Sequence, residues 1–162
     1  MNDEGKQIRK LEDDLNVSGT GVILMGLWSI IRVTMQVFEE SGKIINEVIA
    51  EDQTVSKPLV VIVLVVLLGI LGFIVMNIHL YIGLNAVRAA RGKKYKKGYF
   101  RAAIIVGLLA VSGMGSYWDE LQDLENIDTN LAAMLVDITT IYIFAVIIIS
   151  TVKLEKLRGK ET

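Results

Sequence analysis

The sequence predicts an all-α fold: a polytopic membrane protein with four transmembrane helices in an antiparallel bundle. The first and third helices are expected to continue into a small acidic cap on the extracytoplasmic side. Three observations lead there. The 162 residues are 52% apolar with a mean hydropathy of +0.50, whereas a soluble domain sits near 45 to 50%, roughly, even with glycine counted. The apolar residues gather in blocks of about 20, the length that crosses a hydrocarbon core roughly 30 Å thick at about 1.5 Å per residue. Lys and Arg, finally, are sorted by connection rather than spread along the chain. The net charge of −1 hides that sorting. The chain has no cysteine, which excludes disulfides, thiolate metal sites and thiol chemistry, and its one proline, Pro58, argues against long disordered linkers.

Residues 1–16 are too acidic for the start of a cleaved signal peptide and are expected to be retained on the cytoplasmic side. Ile8, Leu11 and Leu15 share a helical face, so the segment suits a short amphipathic helix at the membrane surface or against the protein. A frayed, solvated tail is the alternative. Residues 17–152 form the transmembrane domain, with spans at about 17–38, 58–90, 100–118 and 131–152, followed by a basic cytoplasmic tail at 153–162.

The second span carries the strongest signal, with no charge between Pro58 and Arg88. Pro58 suits a first helical turn and Gly92 the position just past the end. Its β-branched residues would favour strand in water, but in lipid a lone strand leaves its edge unpaired, so the run must be helix. The third span has Ala103, Gly107, Ala110 and Gly113 along one stripe, as close helix packing requires. A conduction path along those glycines is the less favoured reading.

Orientation follows from the basic residues. The second connection holds Arg88, Arg91, Lys93, Lys94, Lys96, Lys97 and Arg101 with no acid, and the tail adds Lys153, Lys156, Arg158 and Lys160. The first and third connections are acidic. Both termini and the basic connection therefore belong inside, in the plasma membrane. Outside, Ile44, Ile45, Val48 and Ile49 line one face, as do Leu121, Leu124 and Ile127. The two faces should pack into the cap, with Ile127–Asn130 as the turn and N-cap into the fourth helix.

Arg32 and Asp137 each lie six residues inside the outer end of their spans, about 9 Å deep. Opposite charges at equal depth on helices that neighbour one another in an up-and-down bundle form a candidate pair. It is either structural, or functional with Asp137 as the titrating member; Arg32 alone could instead snorkel to the surface. Thr140 and Tyr142, with Thr139, could extend a polar lining, although threonine often bonds back to its own helix. Asn77 and His79, with Tyr81 and Asn85 beyond, fall near the inner end of the second span. There His79 is a weak candidate for proton relay and, with no second ligand nearby, not for a metal.

The seven basic residues from Arg88 to Arg101 are candidate contacts for anionic lipid head groups. Tyr95 and Tyr99 among them could suggest nucleic acid, but the flanking spans favour the bilayer. No phosphate loop, nucleophile elbow, calcium loop or zinc motif is present in the sequence. The sequence thus predicts no enzyme, cofactor or metal. It predicts a small membrane protein acting by association with another membrane protein or itself, as an accessory subunit or scaffold. The alternative is a homo-oligomeric ion- or proton-coupled transporter or channel built on Arg32 and Asp137.

Overall fold

The computed structural model describes residues 3–51, 56–117 and 127–159. These are helical almost throughout: α1 Asp3–Glu51, α2 Lys57–Ala90, α3 Gly98–Gly113, a 3₁₀ turn Met114–Ser116, and α4 Ile127–Arg158. The fold is all-α, and α1, α2 and α4 are long and apolar enough to cross a membrane. The α-helix α3 has only 16 residues, about 24 Å, but the three-residue turn that follows brings its reach to about 30 Å. The tightening falls at Gly113 and Gly115, where glycine weakens the α-helix. The α-helix thus gives way to a 3₁₀ turn inside the expected span, and the chain is helical again at Tyr117, the last residue described before 127. The cap residues Leu121 and Leu124 lie outside the described residues.

Two other element ends differ from expectation. Ile127, Asp128, Thr129 and Asn130 are helical, so they are not the turn into α4 but its first residues. At the other end α4 runs through the basic tail to Arg158. Helix α1 is unbroken from residue 3, and Ile44, Ile45, Val48 and Ile49 are half-buried while Asn46 and Glu47 are exposed, which is the amphipathic face read from the sequence.

Contacts divide the chain into two units. The first comprises residues up to Ile23 and from Leu80 onward. All four helices contribute to its core: Leu15 and Val22 from α1, Ile82 and Ala86 from α2, Tyr99 and Ala103 from α3, and Phe144, Ile147 and Leu154 from α4. Ile8 and Leu11 pack against that core, so the hydrophobic stripe of the N-terminal segment is used within the fold. Ala103 is fully buried and Gly107 faces Phe144, while Gly113, at the far end of the small-residue stripe, faces open space. Within this unit α1 and α2 touch backbone to backbone. A Cβ on Gly83 would strike the carbonyl oxygen of Gly19, and one on Gly19 would come within 2.9 Å of the carbonyl oxygen of Gly83. Such contacts bring helices together where burial from water cannot.

The second unit, Leu24–His79, buries little of itself. Among its described residues only Gly26, Val60 and His79 are buried. Large apolar side chains face outward all round α2, among them Ile62, Val65, Leu67, Ile70 and Phe73. A helix apolar on every side needs an apolar surrounding.

Candidate functional site

The densest polar arrangement lies at the basic end of the first unit, where α2 stops and α4 ends. Gly92 adopts φ +64 and ends α2 in a Schellman motif: the Lys93 N–H reaches the Arg88 carbonyl at 2.9 Å and the Gly92 N–H that of Ala89 at 3.2 Å. The last carbonyls of α2 receive a second set of donors from Arg158. Its Nη1 donates to the Ala89 carbonyl at 3.0 Å and its Nη2 to Glu12 Oε1 at 2.7 Å, with the Ala90 carbonyl at 3.5 Å. One guanidinium thus ties together the last turn of α4, the end of α2 and the N-terminal part of α1. Its planar fork of donors makes several simultaneous contacts possible.

The α2–α3 turn is held in the same way. Asn85 accepts from the Lys96 backbone N–H at 3.0 Å and donates to the Tyr81 carbonyl at 2.7 Å. Tyr99 and Tyr95 meet edge to face, with ring centroids 5.7 Å apart. The Tyr99 hydroxyl pairs with Thr151 Oγ1 at 2.8 Å, and Tyr95 donates to Glu155 Oε1 at 3.0 Å. Burial first, then the Glu155 hydrogen bond and charge, push the Tyr95 hydroxyl above its ordinary value, and Arg158 pulls the other way. The sequence reading assigned Tyr95 and Tyr99 to a charged surface and Arg158 to a tail; their partners lie 52 to 146 residues away in the chain.

The seven basic residues, Arg88, Arg91, Lys93, Lys94, Lys96, Lys97 and Arg101, are all exposed. In the same unit α1 and α4 bound an open groove of about 560 Å³. A second cleft, about 410 Å³, lies between Tyr95, Tyr99, Thr151 and Arg158.

Asp137 is half-buried and accepts a hydrogen bond from the buried Tyr117 hydroxyl, a partner no sequence spacing indicated. Arg32, half-buried on α1, belongs to the second unit, whereas Asp137 belongs to the first. Thr140 bonds back to the Val136 carbonyl at 2.9 Å and Thr139 to that of Leu135 at 2.8 Å. Tyr142 is exposed. On α2, Asn77 donates to the Phe73 carbonyl at 2.7 Å. His79 is buried against Gly26, and its Nδ1 donates to the Val75 carbonyl at 2.8 Å, since a carbonyl only accepts. Among the described residues no three acids or histidines are placed to hold a metal ion.

The chain matches no known protein family, no curated protein and no solved structure.

Proposed function

We propose that the chain is an integral protein of the plasma membrane, four spans in an antiparallel bundle with both termini and the basic turn inside. It acts by association, as an accessory subunit or self-assembling scaffold, and not as an enzyme. One observation carries this reading: residues 24–79 leave an almost continuous apolar surface on α2 with only three buried side chains or glycines among those described. Lipid covers such a surface, and so does another membrane helix. Between α1 and α2 in this unit lies a small cleft of about 40 Å³, far below the roughly 300 to 1,000 Å³ of a ligand pocket.

Two measurements test it. The chain has no cysteine, so Lys43→Cys and Lys94→Cys introduce single labels directly. Impermeant reagent should modify position 43 and not 94 in intact cells; labelling of 94 from outside overturns the topology. In native nanodiscs the protein should migrate with itself or with one fixed partner, and a lone monomer at all concentrations overturns the association.

A second reading has its own support: Asp137, half-buried and hydrogen-bonded to Tyr117, is a carboxylate held in one orientation. If it pairs with Arg32 along a water-filled path between protomers, Asp137→Asn should fold normally and abolish proton- or ion-coupled flux in proteoliposomes. If the pair is structural, Arg32→Ala and Asp137→Ala should each lower thermal stability and the double variant should lose less than the sum.

A further inference from the structure

We propose that the groove between α1 and α4 in the first unit seats one anionic phospholipid. Its acyl chain lies along Leu11, Val146 and Ile149, and its phosphate lies at Lys10, Lys153 and Lys156. This rests on the membrane reading above and adds a defined site to it.

The groove is built from two helical stripes. Lys10 and Leu11 lie one turn after Gln7 on α1, and Val146, Ile149, Lys153 and Lys156 follow one another at three- and four-residue steps on α4. Both stripes therefore point into the same space, and along α4 the chemistry is graded, while on α1 Lys10, Leu11 and Asp14 follow one another toward the apolar segment. Val146 and Ile149 fall inside the fourth apolar segment, whereas Lys153 and Lys156 lie just beyond it. From Val146 to Lys156 is about 15 Å of helix, half the thickness of a hydrocarbon core of roughly 30 Å. An apolar floor at Leu11, Val146 and Ile149 that opens between three ammonium groups has the charge order of a phospholipid. A soluble phosphate would use the lysines and leave Ile149, half exposed, against water.

Charge selects the class of lipid. Asp14 is the one acid lining the groove against the three lysines, so the mouth is cationic. Each basic residue near a membrane surface contributes about 1 kcal/mol toward anionic lipid, and basic pockets between helices at this level hold anionic head groups. None of the seven exposed basic residues between Arg88 and Arg101 lines the groove. That turn therefore attracts the anionic surface diffusely, while the groove holds one molecule.

The test is native mass spectrometry of the full chain from nanodiscs containing equal amounts of phosphatidylglycerol and phosphatidylcholine. One phosphatidylglycerol per protomer should be retained at least tenfold over phosphatidylcholine. Replacing Lys10, Lys153 and Lys156 by Gln should remove the preference, and Ile149→Trp, at an already exposed position, should remove the bound lipid. Replacing Lys93, Lys94, Lys96 and Lys97 by Gln should weaken binding to anionic vesicles and leave the retained lipid in place. Equal retention of the two lipids by the unaltered protein overturns the proposal without reference to any variant. Displacement by inorganic phosphate would assign the lysines to a soluble anion, and loss of a dimer in the Ile149→Trp variant would assign the groove to a second copy; either overturns it. Alkaline extraction of the chain from membranes without detergent would remove the membrane reading itself, whereas stable insertion with no lipid selectivity removes only the groove.

Discussion

Arg158 Nη2 lies 2.7 Å from Glu12 Oε1, joining the last turn of the chain's final helix to the first helix across 146 residues of sequence. The same guanidinium donates to the end of α2. Both side chains are about one-third exposed, so the ion pair alone is worth little, about 0.5 to 1 kcal/mol at most. The cation at the negative end of the α2 dipole adds a similar amount.

Arg158→Ala should therefore lower stability by about 1 to 2 kcal/mol, and Glu12→Gln by clearly less, because the carbonyl contacts survive in that variant. Arg158→Lys should recover part of the ion pair but not the branched contact to α2. Thermal unfolding in detergent of the three variants checks this. Equal losses for Arg158→Ala and Glu12→Gln would show that the α2 carbonyls contribute nothing.

Two glycines of α2 should respond in opposite directions to the same change. Gly83→Ala places a methyl against the Gly19 carbonyl and Ile23, so α1 and α2 must separate, at a cost of about 1 to 3 kcal/mol. Gly69→Ala meets nothing within 4 Å and gains helix propensity, so it should be neutral or stabilising by up to about 1 kcal/mol. Resistance to unfolding by a denaturing detergent would measure both. A tolerated Gly83→Ala would mean the two helices do not rely on that contact.

Tyr95 supplies a pH dependence. Its hydroxyl titrates above the ordinary 10.0 in the folded protein, chiefly through burial and then through Glu155. A folded-state pKa raised above the unfolded value contributes stability that is complete below the unfolded value. That contribution disappears as pH rises through the folded one. The unaltered protein should thus be more stable than Tyr95→Phe at neutral pH, by less than about 1 kcal/mol because the pair is partly in water. The advantage should vanish in strongly alkaline solution. Melting temperatures of both proteins across that range decide it, and parallel curves would dismiss the Tyr95–Glu155 bond as a source of stability.

Local chemistry was enough to read the helices from the sequence. An apolar run of the length between Pro58 and Ala90 has no way to satisfy its backbone in lipid except by helix, and Gly92 marks the stop because the Schellman turn needs its positive φ. The stripe of Ile8, Leu11 and Leu15 likewise announced a packed face before any partner was known, since periodicity alone determines which side chains share a side. The partners were another matter. Arg158 with Glu12 and Ala89, Tyr99 with Thr151, Tyr117 with Asp137 and Gly83 with Gly19 all join residues on different helices. Periodicity sets a side chain's direction around its own axis, but not the height and rotation at which another helix docks. Those are decided only when small residues allow two backbones to meet, and the polar side chains at that level then find their donors and acceptors. Composition and spacing were therefore sufficient for the helices and for much of what they bury, and tertiary packing alone placed the polar hub where α1, α2 and α4 come together.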